Sequence, residues 1–524
     1  MNTPRILLLL FIVGFISANA QVMNVRKWRK TERDSLDKGL QMVDDNYFAQ
    51  AMPIFQNLLS NHPDEIFLKY SYAKCALYRP DKHAEAYQNL KDVYAKNKKL
   101  PGIHYDLALA AHYNYQFDEA DTYVDLFGRN RRISPEERGK AEILKKNIAY
   151  ARYYSARPTK AKISNLGPAV NSEGEEYVPA ITADESKLIF TYAGKKSMGG
   201  LQNAYLQEDL ETGVYMEDIY LASRKNGQFS QAVPLDSLNT TGPDAAISLS
   251  NDGSILFVYQ DLDDGHGDIY QSFLIGNNFS KPQKLRGRVN SYSWDGHCSL
   301  SPDGKTLYFS SERSEGFGGR DIYRASLAAD SSWTNVVNLG DSVNTPLDDD
   351  APFIHADGKT LFYSSKGRTS MGGYDIFKAV MNSDSSFKKV EHLGFPINSP
   401  SDDIFFVPAA NGKSAYYSSA RKEGLGMKDI YRVEPEFENA PALVLVKGKV
   451  MLEGRPAAAS VEVSIPARNK LFNVVYANAV NGDYLVCLPA GEDYLLRFNK
   501  DVFKTQEKHI KASDLTVYSE QVVD

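Results

Sequence analysis

Apolar residues change their spacing twice along this chain, and each change marks a different kind of structure. From about Thr31 to Tyr154 they recur every three or four residues, the spacing that gathers them on one side of an α-helix. Within this stretch Ala51, Ala86 and Ala120 fall 35 and 34 residues apart. Each follows an aromatic residue or His (Tyr47, His83, Phe117) and precedes another aromatic (Phe55, Tyr87, Tyr123). Small side chains at a fixed period predict paired helices that approach closely, and Pro63 and Pro101 predict where the pairs end. Ser134-Pro135-Glu136-Glu137 predicts the start of a further helix reaching Tyr154, with Pro in its first turn and acids beside it.

From Lys162 the period shortens to two. The tripeptide Asp-Ile-aromatic recurs five times, at Asp218, Asp268, Asp321, Asp375 and Asp429, at intervals of 50, 53, 54 and 54 residues. Each copy follows two apolar runs joined by a turn, most clearly CSLSPDGKTLYFSS (Cys298 to Ser311) and PFIHADGKTLFYSS (Pro352 to Ser365). Asp-Gly or Asn-Gly between such runs predicts a tight hairpin, because Gly supplies the positive φ that the turn requires. WTNVVNLG at Trp333 and FKKVEHLG at Phe387 add a fourth strand. The fifth unit lacks one, while KISNLG (Lys162 to Gly167) stands unclaimed before the first unit, so it can close a ring on the last. Leu201 to Tyr215 reads as an elongated loop.

The helical period resembles tetratricopeptide repeats, stacked helix hairpins with a concave surface. The units of about 50 residues resemble blades of TolB/WD-type propellers, whose signature is SPDGKTLYFSS. Five blades follow by count, six being the alternative if a degenerate blade is hidden. After Pro435 and Glu436 the strands at Val444 to Val450, Ala459 to Ile465 and Tyr484 to Leu488 resemble a carboxypeptidase-regulatory-like domain, a small β-sandwich. The expected order is an export signal over 1–20, TPR-like repeats over 21–156, a propeller over 157–436 and the sandwich over 437–524.

Candidate chemistry is sparse. GKKSMGG (Gly194 to Gly200) and GRTSMGG (Gly367 to Gly373) come nearest to a nucleophile turn, but a catalytic Ser is not expected twice at equivalent loops, so Ser197 and Ser370 read as turn residues. Asp261, Asp263, Asp264, His266 and Asp268 fail the spacing of a calcium loop and read as a solvated hairpin. The repeat itself singles out five acids: Glu176, Asp244, Asp295, Asp349 and Asp403 each lie five residues after an Asn (Asn171, Asn239, Asn290, Asn344, Asn398) and at one register before the hairpin turn. They are expected to pin their blades through backbone N–H groups; a joint site for a cation or a partner's basic residue is the alternative. No catalytic residue, cofactor site or metal site is predicted. Cys75, Cys298 and Cys487 lie in separate regions and read as buried thiols.

Composition and charge narrow the class. The 524 residues exceed one core, and 43% hydrophobic with 24% charged residues is ordinary for a folded chain. With 60 basic against 66 acidic residues there is no electrostatic footprint for nucleic acid. Arg5, the apolar run Ile6 to Ile16 and Ala18-Asn19-Ala20 read as a cleaved export signal with no lipid-attachment Cys and no later membrane span.

Signal, TPR-like repeats, propeller and regulatory-like sandwich in this order resemble the PorE-like periplasmic proteins of type IX secretion and gliding. The resemblance implies a non-enzymatic periplasmic scaffold, associated with the outer membrane through partners such as outer-membrane ring or OmpA-like proteins. Members of that family continue into an OmpA-like domain that grips peptidoglycan; this sequence stops where that domain would begin, so direct cell-wall binding is not implied. A TolB-like docking protein and a peptide- or glycan-binding sensor are the alternatives. N-terminal sequencing of the exported protein should begin at Gln21; a product retaining Met1, or one held in membranes through salt and carbonate washes, would contradict the signal reading.

Overall fold

A computed structural model of the chain describes residues 25–203, 205–261, 267–434, 442–500 and 503–524. The export segment with its cleavage point, the loop residues Asp263, Asp264 and His266, and the 436/437 boundary lie outside the described residues. The chain forms two compact units, one holding residues to Ile148 with Asp209–Thr212, the other the remainder from Ala149.

The first unit is helical: α1 (Lys30–Asp44), α2 (Phe48–Asn61), α3 (Ile66–Ala76), α4 (His83–Lys96), α5 (Ile103–Tyr113), α6 (Phe117–Gly128) and α7 (Pro135–Ser155), with the division between units inside α7. Helices α1 to α6 each pack on the next, and Ala141, Leu144 and Ile148 of α7 join the cluster of Val124 and Phe127. Ala51, Ala86 and Ala120 occupy the fourth position of α2, α4 and α6 and are wholly buried, where a larger side chain would force the helices apart. Neighbouring pairs are tied by rings: Phe48 stacks on Tyr78 at 3.8 Å and His83 on Tyr113 at 4.3 Å. Helix α7 starts in a capping box, in which Glu137 N–H donates to Ser134 Oγ (3.1 Å) and Ser134 N–H donates to the Glu137 carboxylate (2.7 Å).

The second unit contains five antiparallel sheets that form the propeller, which we call blades 1 to 5. Their innermost strands are Glu175–Ile181, Asp244–Leu249, Asp295–Leu300, Asp349–Ile354 and Asp403–Pro408. Each innermost strand touches that of the next blade, and that of blade 5 touches that of blade 1, so the ring closes at five. The closing strand is Lys162–Asn165: it pairs antiparallel with the third strand of blade 5, Lys162 opposite Glu434 and Asn165 opposite Tyr431. Leu201–Gln202 and Val214–Tyr215 pair within the long loop of blade 1, a small hairpin where the sequence predicted only a loop.

Beyond the propeller, Leu443–Lys449 pairs with Asp483–Pro489 and, in parallel, with Ser519–Val522; facing this sheet is a second of Lys470–Tyr476, Ser460–Ile465, Tyr494–Asn499 and Gln506–Ile510. The run Leu-Val-Leu-Val at 443–446 is apolar on both faces for a physical reason. Val444 and Val446 enter the sandwich core, whereas Leu443 and Leu445, with Cys487, pack against Ala356 and Ala410 at the hairpin-turn end of the propeller. Asn473 donates to Pro302 O (3.0 Å) and Asn478 to Gly276 O (2.6 Å) across the same contact.

Because the closing strand supplies the fourth strand of blade 5, deleting residues 162–167 should expose the edge at Asp429–Glu434 and lead to aggregation, read by size-exclusion chromatography. A monodisperse deletion variant with an unchanged melting temperature would contradict this closure.

Candidate interaction surfaces

The propeller repeats itself five times, so each position can be compared with four equivalents in one chain. Residues identical at one register serve the blade. The Asn of each unit reaches the third strand of the preceding blade and imitates a strand: its Oδ1 accepts the Ile N–H of the Asp-Ile-aromatic tripeptide and its Nδ2 donates to the same Ile carbonyl. Asn171 does this with Ile430 (2.9 and 2.9 Å), Asn239 with Ile219 (2.7 and 3.1 Å), Asn290 with Ile269 (2.9 and 3.0 Å), Asn344 with Ile322 (2.8 and 3.0 Å) and Asn398 with Ile376 (2.7 and 2.9 Å). The tripeptide Asp likewise fixes the loop before it, accepting N–H bonds from Met198 (Asp218), Phe317 (Asp321), Met371 (Asp375) and Leu425 (Asp429).

The five register acids are buried and each is engaged within its own blade. Each accepts the N–H of the residue four positions earlier: Ser172 to Glu176 (3.0 Å), Thr240 to Asp244 (2.6 Å), Ser291 to Asp295 (2.5 Å), Thr345 to Asp349 (2.5 Å) and Ser399 to Asp403 (2.6 Å). Arg313 Nη2 lies 3.0 Å from Asp295 Oδ1, and Arg421 Nη2 3.3 Å from Asp403 Oδ1. Burial pushes the carboxyls of Glu176, Asp349 and Asp403 up to about 7, with the hydroxyl and N–H donors, and Arg421 at Asp403, only partly opposing it. Ser197 and Ser370 lie in turns: Ser197 Oγ accepts Gly194 N–H (3.0 Å), and Ser370 Oγ accepts Gly372 N–H (3.1 Å) and donates to Gly373 O (2.9 Å). Cys75, Cys298 and Cys487 are buried free thiols.

Registers that differ between blades gather at the end of the axis where the innermost strands begin. Immediately before the tripeptide stand Glu217, Gly267, Arg320, Tyr374 and Lys428; immediately before the register acid stand Glu175, Pro243, Trp294, Asp348 and Asp402. Bulges in the innermost strands of all five blades re-aim the side chains here, with Val178, Ala351 and Phe405 held at φ of 52°, 52° and 63°. Asp350, fully buried, is bonded by His297 Nδ1 (2.7 Å) and Arg320 Nη1 (2.7 Å). Burial works against its charge, but these two neighbours outweigh it and hold the carboxyl far below the usual carboxylate range. The Arg320 guanidinium lies 3.9 Å over Trp294, the His297 ring meets Phe405 edge-on at 4.6 Å, and Lys366 bonds Asp348 (2.8 Å) beside the Tyr374 ring. Below this mouth the axis is filled: the space among Ala180, Ile247, Cys298 and Phe406 is about 30 Å³, and the sandwich covers the far end. The mouth is therefore the open end of a blind shaft, and sequence reasoning missed it. Its signal was variation at fixed registers, whereas the fixed acids drew attention.

The helical unit carries a groove of about 370 Å³, within the size range of ligand pockets. Leu40, Phe67, Leu100, Tyr105 and Phe127 give apolar walls, and Asp44, Lys74, Glu137 and Lys140 bring charge to it. On its floor Tyr70 Oη lies 2.6 Å from Asp106 Oδ2 and 2.9 Å from Pro101 O. One hydroxyl proton cannot serve both acceptors. Burial raises the Asp106 carboxyl above its ordinary value, with Lys74 and Tyr70 opposing.

No protein-family model and no curated protein sequence matches this chain. Solved structures similar to it include a putative TolB from Agrobacterium tumefaciens (13% identity over 63% of this chain and 97% of that one, TM-score 0.31) and TolB from Acinetobacter baumannii (18% identity, 57% and 70%, TM-score 0.32). A gluconolactonase from Xanthomonas campestris is similar at 12% identity, covering 54% of this chain and 92% of that one, with a TM-score of 0.30. At such identities and scores these likenesses define neither activity nor partner. No helix among the described residues is long and apolar enough to cross a membrane.

Two adjacent aspartates should answer pH in opposite senses. Glu176, Asp349 and Asp403 stay protonated in the fold to about pH 7 but ionise near pH 4 when unfolded, so they make stability fall as pH rises through that window; Asp349→Asn should flatten the fall. Asp350 is stabilising above its unfolded value near 4 and loses that contribution as pH drops further. Asp350→Asn should therefore cost about 3 kcal/mol at pH 7 and progressively less below pH 4, measured by urea unfolding. Equal pH profiles for the two variants would refute the assignment.

Proposed function

We propose that this chain is a non-catalytic periplasmic scaffold that bridges outer-membrane and periplasmic proteins of an envelope machine, of the type IX secretion or gliding kind that its module order resembles. The observation that carries this reading is the blind shaft. With the sandwich packed on its lower end and its axis filled, the propeller presents its mouth to partners, and there the blades depart from their common pattern in favour of Trp294, Arg320, Asp348, Lys366 and Lys428. Charges of both signs beside aromatic faces suit recognition of a protein loop. His297 is oriented by Asp350 but has no Ser, Thr or Cys partner among the described residues, so the pair serves as a rigid polar floor. The groove of the helical unit is a second, separate surface, which is what a bridge requires.

A second reading, TolB-like docking of one outer-membrane protein on the propeller, draws on the same mouth and needs no groove. Affinity purification from crosslinked envelopes separates the two. Trp294→Ala with Lys366→Glu should reduce recovery of the outer-membrane partner at least about tenfold while the melting temperature stays within a few degrees. Removing residues 25–148 should cost a second partner set under bridging and none under docking. Recovery of the same partners by the mouth variant would reject both readings.

A further inference from the structure

The turn between α6 and α7 gathers positive charge in a chain that is acidic as a whole. Residues 129–146 hold seven basic side chains against three acidic ones, whereas the full sequence has 60 basic and 66 acidic residues. Arg129, Arg131, Arg132 and Arg138 are all exposed. Arg138 Nη1 donates to Gly128 O (3.1 Å) and so caps the end of α6, while Arg129, Arg131 and Arg132 make no ion pair with any described residue. The acids that flank the turn are already engaged: Asp125 with Lys145, Glu136 with Lys140 (2.7 Å) and Glu137 with Ser134 N–H (2.7 Å). The backbone of the turn is also fixed. Asn130 Oδ1 accepts Arg132 N–H (3.0 Å), the capping box sets the start of α7, and Ile133 packs inward on the cluster of Val124 and Phe127.

We propose that this turn rests on an anionic lipid bilayer, its guanidiniums bonding the phosphates of the headgroups. A guanidinium presents planar pairs of N–H donors that match two phosphate oxygens at once, and it keeps its charge throughout the physiological pH range. Two observations favour a lipid surface over an acidic protein. Protein interfaces take most of their affinity from large apolar or aromatic anchors, and between Arg129 and Lys140 no large apolar side chain is exposed, because Ile133 is turned into the core. An acidic segment is gripped best in a recess, whereas residues 129–132 are all exposed at the tip of a helix hairpin, a shape suited to a flat headgroup layer that attracts by charge alone. Salt screens charges farther away than about 8 Å, so the local excess decides the contact and the net charge of the chain does not. Four such cations correspond to half-binding at about 1 mM accessible lipid. The contact is therefore reversible, and it adds to a protein partner's hold by keeping the chain at the membrane. This inference rests on the reading of the chain as an exported envelope protein but not on the propeller mouth.

The test uses the full-length mature protein and its co-sedimentation with vesicles of equal parts phosphatidylglycerol and phosphatidylcholine, titrated through the millimolar range. Binding should saturate, be absent on phosphatidylcholine alone and fall as salt is raised. Arg131→Ala with Arg132→Ala should weaken it about thirtyfold. The melting temperature should not change, since neither side chain bonds another described residue. Arg131→Lys with Arg132→Lys should keep most of the binding, and removing the same charge from the sandwich, Lys504→Ala with Lys508→Ala, should change it by less than about twofold. Equal binding to the two kinds of vesicle, equal losses in the two Ala pairs, or no loss in either would each overturn the proposal. Tighter binding of polyglutamate than of vesicles at equal charge, lost in the same Arg pair, would assign the turn to an acidic protein and overturn it too. None of these readouts involves the mouth, whose partners are recovered separately by envelope crosslinking.

Discussion

A propeller blade must turn its chain back at the axis without leaving the backbone groups of the turn unpaired, and in this protein one side-chain amide solves that problem five times. An Asn carries the same donor and acceptor as a peptide unit, so when it lies beside the third strand it extends the ladder where the main chain has already turned away. The Ile that it serves is among the most buried residues of each blade, with 0–1% exposure at Ile219, Ile269, Ile322, Ile376 and Ile430. An unpaired N–H and C=O at that depth would cost about 1–3 kcal/mol each. At Asn171 the same device spans the junction of first and last blades, beside the closing strand, so ring closure rests on side-chain and main-chain pairing together.

The acids complete this arrangement and bear its electrostatic cost. A carboxylate that accepts an N–H and a hydroxyl at a loop is a good cap, but at full burial the charge itself is disfavoured, and Glu176, Asp349 and Asp403 respond by holding their protons to about pH 7. Asp350, one residue on from Asp349, resolves the same conflict oppositely because the bulge turns it towards Arg320 and His297. Neighbouring carboxyls with opposite ionisation thus mark the boundary between blade and mouth. What lies on the capped side is repeated; what lies on the charged side differs from blade to blade.

Much of the architecture was legible because it is written in local patterns. Turn glycines within alternating runs marked the hairpins, the fixed interval between tripeptides marked the blades, and the orphan KISNLG found its place by arithmetic alone. The alternating sides of Leu443 to Val446 were visible as an apolar run, but not that one side belongs to the sandwich core and the other to the propeller, since periodicity says nothing of what a face meets. The contacts at the mouth and groove were not legible for a related reason. His297 and Asp350 are 53 residues apart, and Tyr70 and Asp106 are 36 apart, so their meeting depends on the bulges and helix stacking and not on any local motif.

The two surfaces differ in how much freedom their surroundings leave them. At the mouth the polar groups are already paired: Asp350 is bonded by Arg320 and His297, Asp348 has Lys366, and Arg320 is stacked, so the pattern is preorganised. In the groove the floor carboxyl of Asp106 sits among apolar walls, and burial raises it above its ordinary value. Groups of the first kind are held in place by their pairing. The second is set by burial, so its charge state depends on how far the walls exclude water, whereas at the mouth it depends on the neighbouring charges.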